Sequence, residues 1–525
     1  MDDPITFEVI KNALESCARE MSQALRRTAF SPNIKERRDC SCAIFNNAGS
    51  LVAQSKDIPV HLGAMPLSVK ACIEQVGNEM RQGTMALLND PFSGGSHLPD
   101  LTLVAPVYDG SSRVAFIANR AHHADVGGLS PGSMPGTSTS IDDEGILIRP
   151  RIVVRDSELV LDFIDDLLSA TRTPDERLGD LSAQVAANTV GSRRLEGLSN
   201  KHTWNGLLKT FEELRRYSAE MMKRTLMPYQ GKHAEFTDVM DSDGAGTSGI
   251  PIKVTVDFAD ERVQVDFTGT SEQVKGNINC PIASSLSSVY YVFKALFGEG
   301  IPMNEGCWSA IDIHVPKRSI LNPEYPAAVA AGNVETSQRI VDTTLGALAQ
   351  IDPDIVPAAS QGTMNNLAIG GIDPRSGKAF SFYETIGGGA GAGRGYNGSS
   401  GIHTHMTNTL NTPVESLETE YPLRVRAYSI RRASGGRGRW NGGDGIIREI
   451  EVLGEDCTVS IQSERRVSQP WGLKAGEPGA IGRNTLMLKG KVLELAAKST
   501  VSVPSGSIVR IETPGGGGWG KPPSG

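Results

Sequence analysis

Glycine clustering is the feature that most limits what this chain can become. Of its 525 residues 58 are glycine, and they gather in runs rather than spreading evenly. Such runs mark loops where the backbone turns sharply or approaches something closely. They concentrate beyond about residue 380, where 446–453, 458–462 and 508–512 read as strands. A chain of this length exceeds what one core supports, so several domains are expected.

Other features narrow the class. Hydrophobic residues make up 39% and charged residues 21%, a globular balance. The net charge is −8 and no run of lysine or arginine stands out, so neither nucleic acid nor an anionic membrane is an expected partner. No apolar stretch has the length of a membrane span. Seven scattered cysteines suggest reduced thiols, and the acidic start Met1-Asp2-Asp3-Pro4 is unlike a secretory signal. A cytoplasmic location is expected.

Regular elements can be placed from local patterns. Asp3-Pro4 reads as a helix cap with proline in the first turn. Phe7, Ile10, Leu14, Met21 and Leu25 carry that helix to about Ala29. A hairpin is predicted over 42–53 around Asn46-Asn47-Ala48-Gly49. A helix is predicted over 67–80, a loop over 89–99, and strands over 102–108 and 114–118. Residues 126–145 form an extended loop, and 173–231 a helical segment with amphipathic stretches 178–187 and 207–222. Strands at 252–258 and 262–267 and helices at 281–299 and 338–350 follow.

The stretch that points to chemistry is Ser93-Gly94-Gly95-Ser96-His97-Leu98-Pro99-Asp100, followed by Arg120-Ala121-His122-His123-Ala124-Asp125. A lone His-x-x-Asp is common by chance. Here, however, three of only nine histidines fall in one short window. Imidazole nitrogen with carboxylate oxygen suits zinc, iron(II) or manganese, and the lack of clustered thiols disfavours a structural zinc site. His97 and Asp100 can bind one ion from a single turn. Neighbours on a strand face opposite ways, so either His122 or His123 can join them, leaving the other for acid–base or supporting work. Asp39, in Arg37-Arg38-Asp39-Cys40, can supply a fourth ligand, although spacing gives it no special status.

Several long motifs stand in a fixed order. They are Asn89-Asp90-Pro91 with Gly94 to Asp100, then Ala121-His122-His123-Ala124-Asp125-Val126-Gly127-Gly128. Next come Gly332-Asn333-Val334-Glu335-Thr336-Ser337-Gln338, Glu384-Thr385-Ile386-Gly387-Gly388-Gly389 and His403-Thr404-His405-Met406-Thr407-Asn408-Thr409. The tail is Thr513-Pro514-Gly515-Gly516-Gly517-Gly518-Trp519-Gly520. With these motifs the chain resembles the hydantoinase B/5-oxoprolinase family over essentially its whole length.

That resemblance implies a division of labour. An actin-like, ATP-binding subunit of hydantoinase A type phosphorylates the substrate carbonyl oxygen, and the subunit resembling this chain binds a divalent metal and completes the reaction. Relatives open hydantoins, 5-oxoproline or lactams with water, and others carboxylate ketones with bicarbonate. Carried over position by position, the metal ligands are Asp39, His97, Asp100 and His122. His123 is then the group expected to move a proton. The expected function is the metal-bearing subunit of an ATP-dependent cyclic amide hydrolase in a hetero-oligomer. The rivals are a ketone carboxylase subunit and a non-catalytic scaffold for the ATPase.

Other signals carry less. Gly128-Leu129-Ser130-Pro131-Gly132 matches a nucleophile elbow, but Pro131 lacks the N–H that the elbow uses as an oxyanion donor. The run 387–395 holds a loose dinucleotide pattern that continues as loop instead of opening a helix. Its backbone N–H groups at Gly387, Gly388 and Gly389, with Arg394, form a candidate anion cradle; close packing explains the glycines equally well. No Walker A motif is present, and Asp342-Thr343-Thr344 lacks the glycines of an actin-like phosphate loop, so ATP is expected on the partner. His403 and His405 share a face if their segment is a strand, where they could bind a second ion, although support of the site or of an interface is the stronger expectation. Trp519 suggests a packed end. The expected fold class is mixed α and β (α+β), multi-domain, with a glycine-rich, β-rich C-terminal part. It divides into a metal-binding stretch 1–172, a mainly helical stretch 173–250, an α/β stretch 251–380 and a glycine-rich stretch 381–525.

Overall fold

The structure, a computed structural model, describes residues 3–156 and 158–523; Met1 and Asp2 of the acidic start lie outside them. The first helix, Pro4–Thr28, begins where Asp3 accepts the N–H groups of Ile5 and Thr6. Its buried stripe includes Phe7, Ile10, Leu14, Met21 and Leu25. The next predicted helix is Ala64–Val76, starting earlier and stopping at Gly77. Helices Pro174–His202 and Trp204–Leu226 meet at Thr203, whose φ of 57° breaks the run. Helix Leu161–Ala170 precedes them.

The N-terminal part is built on a seven-stranded antiparallel sheet. Its order is Leu51–Gln54, Cys40–Asn46, Ser112–His122, Asp100–Asp109, Met85–Leu88, Arg151–Arg155, Glu158–Leu159. Both faces are covered. Cys40, Cys42 and Ile44 pack towards helices Pro4–Thr28 and Pro174–His202, while Ala43 and Phe45 pack towards Ala64–Val76. Burial on both faces explains why these strands read as apolar runs instead of alternating.

A second sheet holds His233–Ser242, Ser248–Ala259, Arg262–Asp266 and Ile311–His314, the last joined in parallel. Helices Ile282–Phe297 and Ser337–Ile351 share its core with Ile58, Val60, Tyr383 and Met406. Two further sheets form the C-terminal part. One has the order Ala379–Glu384, Asn366–Ile372, Glu455–Gln462, Lys498–Val503. The other runs Leu423–Arg431, Gly445–Val452, Ile508–Glu512, Arg483–Leu488, Lys491–Leu495.

The glycine runs beside these sheets are places where main chain packs on main chain. A Cβ at Gly391 would lie 1.7 Å from the Ala358 carbonyl oxygen, and one at Gly516 2.0 Å from that of Ala390. Trp519 is buried, edge-on to Trp440 at 5.2 Å, so the tail is packed.

Candidate metal centre

Strand register assembles the site. Asp100 lies opposite His122 in the pairing of Asp100–Asp109 with Ser112–His122. On the other side Cys40 pairs with Ala121, and the His122 N–H donates to the Asp39 carbonyl at 3.0 Å. Asp39, His122 and Asp100 therefore sit side by side at one edge of three adjoining strands. His97 arrives from the preceding loop, which turns at Gly94 with φ 90°. Gly95 passes so close to Asn89 that a Cβ there would lie 2.3 Å from its carbonyl oxygen. Asn89 ties the loop down, donating to the Leu98 and Ile146 carbonyls at 2.8 and 2.9 Å.

Three ligand atoms converge. Asp100 Oδ1 lies 3.2 Å from His97 Nε2 and 3.0 Å from His122 Nδ1, and the two nitrogens are 3.1 Å apart. All three side chains are buried. Among the described residues this is the group of histidine, cysteine, aspartate or glutamate side chains whose ligand atoms converge on one point. Asp39 lines the same cavity, with its Oδ2 4.0 Å from Arg37 Nη2. The cavity measures about 20 Å³, enough for roughly one water or ion.

The donors fit a divalent ion. Burial acts to raise the Asp100 carboxyl, but the neighbouring His97, His122 and His61 outweigh it and hold the group well below its ordinary range. Burial lowers His122 below its ordinary value. In His97 burial acts downwards too, yet the Asp100 charge and hydrogen bond prevail and raise it. The ionised Asp100 carboxylate and His122, which resists protonation, are in the forms that bind metal. His122 Nε2 is buried without a hydrogen-bond partner.

Sequence reasoning missed much of the surrounding wall. His61, at the end of the short helix Pro59–His61, places Nδ1 2.8 Å from Ser41 Oγ and Nε2 3.7 Å from Asp100 Oδ2. Tyr383 stacks on His122 at 4.8 Å with an interplanar angle of 19°, and its hydroxyl donates to Asn366 Oδ1 at 2.7 Å. The Arg37 guanidinium lies over the Tyr383 ring and donates to Asn33, to the Tyr383 carbonyl and to Thr385. Asn333 and Val334 reach the cavity from a π-helical turn, Gly332–Thr336, a distortion frequent at functional sites. Met406, Thr407 and Thr409 close another side. Asn333, Thr407 and Thr409 lie within motifs quoted above, which was their only trace in the sequence.

Other expected residues are not brought to the cavity. His123 faces away from His122, as strand alternation demands, and its Nε2 lies 3.0 Å from Gln184 Oε1. Burial, aided by the Arg177 charge, pulls its pKa down to about 4. His123, expected to move a proton, is thus directed to Gln184 and does not line the cavity of His97, Asp100 and His122. Arg394 is exposed and paired with Asp354 at 2.6 Å. The Gly388 and Gly389 N–H groups donate to the Ile402 and Pro514 carbonyls, and a Cβ at Gly387 would lie 2.8 Å from the Ile402 carbonyl carbon. Close packing therefore accounts for these glycines. His403 is buried, and His405 Nε2 lies 3.6 Å from Asp342 Oδ1, outside the cluster.

Glu335, in the π-helical turn, offers a pH test of this wall. Burial raises its pKa from 4.5 to about 7, while it accepts hydrogen bonds from the Met364 N–H and from Asn366. With the folded value above the unfolded one, its contribution to stability is complete below about pH 4.5 and lost by about pH 7. Glu335→Gln keeps the neutral form at every pH. The melting temperature of the variant, measured against wild type, is expected to improve from pH 4.5 to about pH 7 and to level off above that. A difference that stays constant with pH would contradict the assignment.

Among the described residues no helix is long and apolar enough to cross a membrane. The family model for hydantoinase B/oxoprolinase matches residues 3–522. An uncharacterised protein of Methanocaldococcus jannaschii is 39% identical over 528 residues, covering 99% of this chain and 91% of the relative. The 5-oxoprolinase of Dictyostelium discoideum is 39% identical over 530 residues, again 99% of this chain but only 40% of the relative's length. Among solved structures, the ATP-dependent caprolactamase from Pseudomonas jessenii superposes with a TM-score of 0.91 at 26% identity, covering 99% of this chain and 91% of that one. The chain belongs to the hydantoinase B/oxoprolinase family.

Proposed function

We propose that this chain is the metal-bearing part of an ATP-dependent cyclic amide hydrolase acting on a hydantoin, 5-oxoproline or lactam ring. In this reading an actin-like ATPase partner phosphorylates the ring carbonyl, and the ring opens here. The observation that carries the proposal is the convergence of His97, Asp100 and His122 in a buried cavity that Asp39 also lines. The family and the likeness to the caprolactamase support it. So does the 5-oxoprolinase relative, whose additional length leaves room for the ATP-binding half.

Asp39, His97, Asp100 and His122 would hold a zinc, iron or manganese ion. When bound, such an ion supplies Lewis acidity and makes water a nucleophile near neutral pH. Tyr383 fixes the plane of the His122 ring by stacking. Ile58, Val60, Met364 and Met406 exclude bulk water, while Asn333, Thr407 and Thr409 offer hydrogen bonds to orient the amide. His61 is the remaining imidazole on the wall, and the proton-transfer role expected of His123 passes to it. A cavity of about 20 Å³ is too small for a lactam ring, so its walls have to part for substrate to reach the ligands.

The test is product analysis of the complex with its ATPase partner. Hydantoin, 5-oxoproline, caprolactam and a simple ketone are each supplied with ATP, with and without bicarbonate. A ring-opened acid formed together with ADP, independent of bicarbonate, is expected from one of them. ATP turnover that instead requires bicarbonate and a ketone would overturn the hydrolase reading.

A further inference from the structure

Beneath the ligands lies a buried cation that none of the roles above explains. Residues 120 and 122 of strand Ser112–His122 point to the same face. Arg120 pairs with Thr102 on one side and Ser41 on the other, two rungs along from the pairing of Asp100 with His122. Its side chain is fully buried. The guanidinium donates from Nε to Thr102 Oγ1 at 2.8 Å and from Nη1 to Ser96 Oγ at 3.0 Å. From Nη2 it donates to Ser68 Oγ at 2.8 Å and to the Gly94 carbonyl at 3.4 Å. All four partners are neutral.

A buried cation without a counter-charge costs several kcal/mol. The charge that acts on Arg120 is that of the Asp100 carboxylate. Ser96 is the bridge between the two. Its Oγ lies 2.5 Å from Asp100 Oδ2. A guanidinium can only donate, so the serine oxygen accepts from Arg120 and directs its own proton to the carboxylate. The Gly94-Gly95 turn makes this geometry available, because it brings both the Gly94 carbonyl and Ser96 to the same guanidinium.

We propose that Arg120, acting through Ser96, is a positioning residue for Asp100 that engages Oδ2 and leaves Oδ1 as the single ligand atom. Oδ1 is the oxygen that already faces His97 and His122. A carboxylate held in this way would offer an ion Oδ1, with Oδ2 engaged by the serine hydroxyl. The hydrogen bond from Ser96 would draw charge from the carboxylate, so that Asp100 would leave a bound ion the stronger Lewis acid. Outer partners of this kind are worth roughly 10- to 100-fold in metal affinity. The inference rests on the metal reading of the site.

The experiment is a metal titration of the full chain, stripped with chelator and titrated with Mn²⁺ alone or Zn²⁺ alone against a chromophoric competitor. Ser96→Ala breaks the bridge but keeps Arg120 and Asp100. Thr102→Val removes a different hydroxyl from the same guanidinium and controls for general loosening. Ser96→Ala is expected to weaken binding about 10- to 100-fold, with Thr102→Val within about twofold of wild type at a comparable loss in melting temperature. Unchanged affinity in Ser96→Ala, beside a wild type that binds, would overturn the positioning role and leave the metal site standing. Equal weakening in both variants would also overturn it, because Ser96 would then act only through the fold. A wild type that binds neither ion would overturn the metal reading itself.

Discussion

Alanine at both His97 and His122 is expected to cut ATP-coupled ring opening by about a thousandfold or more, while the chain still folds and binds its ATPase partner. The two imidazoles are buried, and together with Asp100 they form the converging donor set. Losing them removes two of the four groups that would hold the ion. Lewis-acid stabilisation of several kcal/mol goes with it, and about 1.4 kcal/mol is a factor of ten in rate. Folding is expected to survive, because the strand register that places residues 100 and 122 is set by backbone pairing along the whole of both strands. Steady-state turnover and gel filtration with the partner read the two halves of the prediction separately. Full turnover in an intact complex would favour the scaffold reading.

Arg465→Met is expected to be the most damaging single change to stability. Arg465 donates from Nη2 to Asp238 Oδ2 at 2.8 Å and to Asp342 Oδ2 at 2.7 Å, and the arginine and Asp342 are almost fully buried. Burial acts to raise the Asp238 carboxyl, but Arg339 and Arg465 hold it down to about 2. The network continues through Arg339 to Glu464, and Lys498 meets Glu464 as well. It fastens strand His233–Ser242 and helix Ser337–Ile351 to the turn after strand Glu455–Gln462. Removing one partner of a buried pair costs about 3–5 kcal/mol, because the other charge is stranded. Asp238 keeps Arg339, whereas among the described residues Asp342 is left with His405 at 3.6 Å. Thermal unfolding is expected to fall by at least about 5 °C, and the double variant Arg465→Met, Asp342→Leu to recover part of the loss. A single variant as stable as wild type would contradict the view that this network bears on folding.

How much of this was legible in the sequence depended on distance along the chain. His97 and Asp100 could be read because one turn brings them together. His122 could be narrowed to two neighbours by strand alternation. Asp39 could not be chosen from spacing, since only the pairing of Cys40 with Ala121 sets it beside His122. His61, Tyr383 and Asn333 reach the cavity by tertiary packing from segments far apart, and no local pattern announces that. Arg120 was hidden for a related reason, because a lone arginine beside a histidine reads as a solvated charge until its rung is known.

The fold shows the same limit. The first helix was readable from its cap, its proline and its single apolar stripe. Helix Pro174–His202 was only partly readable, since it packs on both the first helix and the sheet and carries Gln184 and Asn188 inward. Strand His233–Ser242 was missed because exposed and part-buried polar residues dominate it.

The most direct test of the account is elemental analysis of the purified complex. Wild type is compared with the His97→Ala, His122→Ala double variant after identical dialysis. The account predicts about one zinc, iron or manganese ion for each copy of this chain in wild type, and a value near zero in the variant. Equal metal content in the two preparations would contradict it.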